Sequence, residues 1–285
     1  MNHCTSALPF TLSVMLVALW NTPAAAADRS KSGYTLFNPT PDSQLRDMST
    51  DRPDKTESPY TVDAGWLQVE TDLVAYTRDS LDGSTTRTID VMPVNLKIGL
   101  TSSTDLQIVY GAYSHARTSG GGATEEESSF GDLVLRVKHN LWGNDGGQTA
   151  LAVMPFLKVP TNNAASLNDE LEGGVIVPLA VDLGHGMGLG LMAQVDILKS
   201  KSGSGYEPTF IGSAALGFEL TERWGMYVEA FVERGTEGGA ETVVTLDGGF
   251  TYAVTDHLQL DVGTNVGVTE AADDVTVFAG MSQRF

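Results

Sequence analysis

The chain has 285 residues, a formal net charge of −19, one cysteine and 8% aromatic residues. Such acidity leaves no clustered Lys and Arg for a phosphate backbone, so no nucleic-acid partner is expected. After the amino-terminal region no segment approaches the roughly 18–20 continuous apolar residues of a membrane helix, and the longest run, Val175 to Val181, contains Pro178. A soluble β protein or a transmembrane β-barrel remains, and the barrel's signal per segment is weak.

Residues 1–27 read as a secretory signal peptide: Leu12 to Trp20 form an apolar core, and Ala24 to Ala27 offer a small-residue cleavage site before Asp28. Cys4 precedes the apolar core and so is not a lipidation cysteine. Cleavage would leave a chain without cysteine, which suits passage through an oxidising periplasm. Residues 28–64 are polar, carry Pro39, Pro41, Pro53 and Pro59, and show no sustained period. They form an N-terminal polar extension that either tucks inside as a plug or hangs as a periplasmic tail.

From residue 65 the chain alternates. Gly65 to Arg78 sets Leu67, Val69, Leu73 and Ala75 against Gln68, Glu70, Asp72 and Arg78, the two-residue period of a half-buried strand. Further strands are expected over Thr88–Leu100, Leu106–His115, Asp132–Leu141, Gln148–Val159, Leu171–Leu183, Met187–Leu198, Tyr206–Leu220, Gly225–Arg234, Glu241–Val254, Leu258–Val268 and Asp274–Phe285. About twelve strands, an even number, suit an antiparallel up-and-down barrel over 65–285. In the last strand Phe278 breaks the alternation. Gly120 to Ser129 lacks the lysine and the flanking elements of a phosphate loop and reads as a solvated surface loop, with a bridging-cation site at Glu125–Glu127 a minor alternative. Pro93, Pro155, Pro178 and Pro208 fall inside strands and require bulges or ends; Pro155 and Pro178 on neighbouring strands also raise the alternative of a lateral exit into lipid.

The connections alternate in length. Thr101–Asp105, Gly143–Gly147, Gly184–Gly186, Thr221–Trp224 and Thr255–His257 are tight, and the others are mostly longer. Short periplasmic turns and longer outer loops put both termini in the periplasm. Trp66, Trp142, Trp224 and Phe285 then cluster at the periplasmic ends as an interface girdle.

The polar parity defines the lumen. Its candidate lining is Glu70, Asp72, Arg78, Lys97, Asp132, Arg136, Lys138, Lys158, Asp196, Glu219, Glu229, Asp247, Asp261 and Arg284. In a soluble β-sandwich, the rival fold, these would be solvated faces. In a barrel they must be wetted or paired, either as a structural ion-pair network or as an acidic pathway that favours cations and neutral solutes.

Thr50-Asp-Arg-Pro-Asp54, Ser58-Pro-Tyr-Thr-Val62, Gly65-Trp-Leu-Gln-Val-Glu70, Gly131-Asp132 and the final Phe285 resemble the MetA-pathway phenol-degradation family of outer-membrane β-barrels, over Thr50 to Phe285. A terminal aromatic is also a habit of bacterial outer-membrane barrels. The resemblance implies a Gram-negative outer membrane, a channel or transporter for small hydrophobic or aromatic solutes, and contacts with lipid and, through the C-terminal strand, with the barrel-assembly machinery. An outer-membrane hydrolase and a structural or adhesive barrel are the alternatives. His115, His139, His185 and His257 lack the H-x-S arrangement of barrel phospholipases, and Tyr206 to Phe210 resembles a lipase segment over only a few residues. No spacing suggests a catalytic triad, metal or cofactor site.

Overall fold

The computed structural model describes residues 31–111, 113–162, 170–200, 203 and 205–285. The proposed signal peptide lies outside them, as do parts of the loops at 160–170 and 199–205. Among the described residues the only helical turn is the 3-10 segment Asp42–Gln44. The remainder of the regular structure is one 15-stranded antiparallel sheet: β1 (Leu67–Leu81), β2 (Ser84–Val91), β3 (Val94–Thr101), β4 (Thr104–Tyr110), β5 (Tyr113–Gly120), β6 (Ala123–Ser129), β7 (Leu133–Trp142), β8 (Thr149–Val159), β9 (Glu172–Gly184), β10 (Met187–Lys199), β11 (Tyr206–Glu219), β12 (Trp224–Gly235), β13 (Thr242–Thr255), β14 (Leu258–Gly267) and β15 (Val275–Arg284).

β15 pairs back onto β1 from Gln68↔Arg284 to Arg78↔Val275, which closes the barrel. The seam begins with Leu67 N–H donating to Phe285 O (3.1 Å) and Phe285 N–H to Leu67 O (2.8 Å). Three staves of the wall are each broken in two. β3 continues into β2, β4 into β5 and β7 into β6, so fifteen strands make twelve staves. The breaks fall on neighbouring staves. Met92 takes a positive φ of 53° before Pro93, and Gly111 accepts a hydrogen bond from Gly131 N–H at 2.6 Å. A Cβ on Gly131 would lie 2.8 Å from Gly111 Cα, so that crossing requires glycine.

Apolar residues face out and charge faces in. Leu246 is 57% exposed, Phe210 54% and Val262 51%, whereas Lys138 and Asp105 are fully buried. A soluble sandwich would bury the first set and wet the second. The reverse arrangement is that of a barrel set in lipid, and it removes the sandwich from contention.

The structure corrects three expectations. The stretch read as a surface loop is strand β6, paired to β5 from Ser114↔Ser129 to Gly120↔Ala123. Gly121 and Gly122, at φ 56° and 84°, make the turn. β1 and β2 likewise extend to a hairpin at Asp82 and Gly83, φ 50° and 77°, the left-handed pair of a type I′ turn. Arg78 does not line the lumen. A bulge between Asp72 and Val74 reverses the parity of β1, and Arg78 ends opposite Val275, on the side of Val277.

The strand prolines sit where the ladder allows. Pro93 lies between β2 and β3. Pro155 pairs with Val175 of β9, but the β7–β8 ladder skips from Arg136↔Phe156 to His139↔Val153 beside it. The β8–β9 ladder similarly skips from Leu151↔Leu179 to Met154↔Ile176 at Pro178.

Candidate functional site: a charged lumen filled by the N-terminal segment

Inward residues of β1, β3, β4, β7 and β11–β15 meet residues 46–63, which run through the barrel. Asp51 is the hub. Its carboxylate accepts Lys138 Nζ at 2.7 and 2.8 Å and pairs with Lys97 Nζ, while Ser58 N–H donates to it at 2.9 Å. Lys97 also pairs with Glu70, which accepts Asp51 N–H at 3.1 Å and Gln68 Nε2 at 2.7 Å. Arg52 reaches the opposite way, to Asp261 (2.7 Å) and Asp72 (2.8 Å), with its guanidinium 5.7 Å from the Phe278 ring centroid. The inward Phe278, the exception to the alternation of β15, serves that contact.

The next turn of chain docks on β11–β13. Lys55 pairs with Asp247 at 3.2 Å, donates to Thr245 at 2.7 Å and lies 4.6 Å from the Phe231 ring centroid. Lys55 N–H (2.9 Å) and Thr56 Oγ1 (2.6 Å) both donate to Glu229. Glu57 pairs with Arg136 at 2.6 Å. Asn140 Nδ2 donates to the Pro59 carbonyl at 2.9 Å, and Val62 N–H to Asp105 at 3.1 Å. At the periplasmic end Arg46 bridges Asp63 and Asp145, both at 3.1 Å, and Arg284 donates to the Arg46 carbonyl at 2.8 Å. Buried charges of this number are tolerable because most have an opposite partner and others, such as Glu229 and Asp105, accept N–H, hydroxyl or amide donors, since an uncompensated ion costs several kcal/mol.

Of the residues read as lumen lining, Glu70, Asp72, Lys97, Arg136, Lys138, Glu229, Asp247, Asp261 and Arg284 all contact this segment. Lys158, bonded to Glu172 at 2.6 Å and 3.6 Å from Asp132, forms a separate group toward the outer end. Asp196 accepts Gln194 Nε2 at 2.7 Å on the same side. Glu219 lies at the periplasmic mouth, in a recess of ≈ 680 Å³ that it shares with His185, Trp224 and Gln259. From there Gln259 Nε2 donates to Thr50 at 3.3 Å.

The aromatic girdle divides. Trp142, Trp224 and Phe285 are about half exposed at the periplasmic end. Trp66 instead donates its indole N–H to the Thr40 carbonyl (2.8 Å) and stacks on His257 at 5.8 Å, so it anchors the incoming segment. Sequence reading missed the partners on that segment. The alternating signs of Asp51, Arg52, Asp54, Lys55 and Glu57 were their one visible signal.

The segment's acids titrate in opposite directions. Burial raises Asp51, but Lys138 and Lys97 outweigh it and hold the carboxyl well below its ordinary range. Burial and the Asp51 charge push Glu57 up to about 7 against the pull of Arg136. Burial and Glu229 push Asp54 well above its ordinary value. A carboxyl raised in the docked state favours docking fully below its free value of 4.5, and that contribution is lost as pH rises to about 7. Asp51 acts the other way, but only below its free value of 3.8. Docking should therefore weaken from pH 5 to pH 8, read as faster protease cleavage within residues 46–63 of the folded barrel. Glu57→Gln should flatten that dependence; an unchanged slope would remove Glu57 as its source.

Two histidines touch hydroxyls, His115 with Ser128 and His139 with Thr104, both at 2.9 Å. Among the described residues neither pair is joined by a carboxylate or amide hydrogen bond that would complete a hydrolytic triad. Among the described residues there is also no group of three or more His, Cys, Asp or Glu able to hold a metal ion.

A closed antiparallel barrel with an apolar exterior and a charged, segment-filled lumen defines an outer-membrane β-barrel. Residues 50–285 match the family described as "Putative MetA-pathway of phenol degradation", and the chain belongs to that family. Among solved structures, the outer membrane channel from Pseudomonas putida F1 superimposes with a TM-score of 0.59 at 12% identity, covering 83% of this chain and all (100%) of the other. The autotransporter NalP translocator domain from Neisseria meningitidis (TM-score 0.46, 15% identity, 77% and 88% coverage) and the CymD monoaromatic hydrocarbon channel (0.44, 8%, 77% and 87%) are more distant. A search of curated proteins gives no match.

Proposed function

We propose that this protein is an outer-membrane channel for passive passage of small apolar or aromatic solutes, and that its own residues 31–64 plug the lumen. The observation that carries the reading is the docked segment: it enters from the periplasmic end and bonds to inward residues of β1, β3, β4, β7 and β11–β15. A wall built only for strength could fill its axis with its own side chains, as narrow barrels do. Here the filling is a separate, pairwise-held strap, which can leave without breaking the wall. The solute class is supported by the family's description alone, and the channel role by the similar fold of an outer membrane channel.

Deleting residues 28–54 removes Asp51 and Arg52 with the first part of the strap and leaves the contacts of Lys55 to Glu57 without it. Single-channel conductance in planar bilayers should rise several-fold. An unchanged conductance with a correctly folded barrel would remove the plug. Purified protein should show no ester hydrolysis, and turnover abolished by Ser128→Ala would favour the hydrolase alternative.

A further inference from the structure

We propose that an arginine row on the outer face of the β1–β2–β5–β6 extension binds the phosphate groups of lipopolysaccharide in the outer leaflet. Arg78 lies directly opposite Arg87, Arg87 opposite Arg117, and Arg117 opposite Glu126. The bulge in β1 brings Arg78 into this row by turning it out of the lumen.

Three guanidinium groups on adjacent strands, with Cβ atoms about 5 Å apart, repel one another, and like charges in directly opposed positions destabilise a sheet. The chain supplies little to neutralise them. Arg117 Nε is 3.6 Å from Glu126 in an exposed contact, and among the described residues no carboxylate lies within ion-pair range of Arg78 or Arg87. Glu125 and Glu127 face the other side of the sheet, opposite Thr118 and Ala116. The row is therefore built for an external polyanion.

Its height identifies that anion. The rows toward the membrane are Tyr76, Ile89 and His115, then Val91 beside Tyr113, whose ring meets Phe130 edge-on at 6.1 Å. The row beyond is Ser80, Thr85, Ser119 and Thr124, hydroxyls throughout. At ~3.4 Å per residue along the strand the arginines stand about 7 Å beyond the amphipathic row of Tyr76, Ile89, His115 and Ser128, the level of a lipid headgroup. Guanidinium groups recognise phosphate oxygens in bidentate fashion. The distribution of base around the wall agrees. Arg234 and Lys199, on the outward parity of β12 and β10, also lie at the outer strand ends, whereas Lys97, Arg136, Lys138, Lys158 and Arg284 all point inward. The outward-facing strand cations thus lie at outer strand ends, where Lys199 is already paired with Glu170 at 3.1 Å and Arg78 and Arg87 face the leaflet that carries phosphorylated lipid.

The test uses the full chain in detergent, titrated with Kdo2-lipid A, monophosphoryl lipid A and inorganic phosphate, and followed by native mass spectrometry and thermal melting. Kdo2-lipid A should bind and raise the melting temperature. Monophosphoryl lipid A should bind several-fold more weakly, and millimolar phosphate should not compete. The triple variant Arg78→Gln, Arg87→Gln, Arg117→Gln should lose at least tenfold in affinity while keeping wild-type single-channel conductance. The proposal is overturned if the triple variant binds as wild type does, or if inorganic phosphate alone reproduces the stabilisation, which would make this a free-anion site. Single Arg→Lys variants keep the charge and remove the fork; intermediate affinity supports phosphate recognition, and unchanged affinity overturns bidentate contact.

Discussion

Alanine at position 51 will open the barrel. Asp51 holds Lys138, which has no exposed surface, and shares Lys97 with Glu70. Removing the carboxylate strands one ammonium without a partner and leaves a second half-neutralised. Breaking a buried pair from one side costs about 3–5 kcal/mol, and here that cost falls on the docked state of the strap. It will be relieved by undocking, because the wall's own ladder is untouched. Single-channel conductance of Asp51→Ala should rise several-fold toward that of the 28–54 deletion, and a cysteine placed at Ser58 should become reactive toward a soluble maleimide. Adding Lys138→Met should restore part of the closed state, since it removes the ion that was left alone. If the single variant stays closed and its cysteine protected, Asp51 is not the hub.

Valine at position 99 should do more damage than any surface change. A Cβ on Gly99 would stand 2.0 Å from the Asp63 carbonyl oxygen and 2.9 Å from that of Val62. Both are backbone atoms and cannot swing aside. Gly99 also exchanges hydrogen bonds with Gly65 and Trp66, its O accepting at 2.8 Å and its N–H donating at 2.9 Å. The strap's last residues must therefore lift away, taking Asp63 from Arg46 and Lys31. Overpacking of this kind costs ~1–3 kcal/mol where neighbours yield and more where they do not. The expected result is a large drop in the heat-modifiable folded band on electrophoresis, with rapid proteolysis after Arg46 and Lys55 in what remains. A normal folded band with a protease-resistant segment would show that the backbone can shift at small cost.

The wall was legible because its signal is local. Period-two alternation in Leu133–Trp142 or Leu258–Gly267 states which side faces lipid, and the paired registers follow from it. Reading failed where one residue changed the phase. A single bulge beside Leu73 sent Arg78 outward, and nothing in the alternation up to Asp72 announced it. The outer hairpins carried their own signals, Asp82-Gly83 and Gly121-Gly122, but the three glutamates of β6 disguised a strand as a solvated loop. The strap was hardest to place. Residues 31–64 have no period, and their position depends on partners scattered from Gln68 to Arg284. The inward acids and bases stood out as a class, yet their excess acid was legible only as a field. Part of it is matched by Arg52 and Lys55 of a segment whose location the sequence left open.

The seam between β1 and β15 has a consequence for biogenesis. The strap leads directly into β1, and β1 finds its second neighbour only when the last strand arrives. Many of the strap's bonds lie across the axis, on staves made late in the chain, such as those bearing Glu229, Asp247 and Asp261. Threading so polar a ribbon through a finished ring would strip its water before any partner was met. The strap's full set of partners therefore exists only once the late staves that bear Glu229, Asp247 and Asp261 are in place, so cork and bottle are completed together.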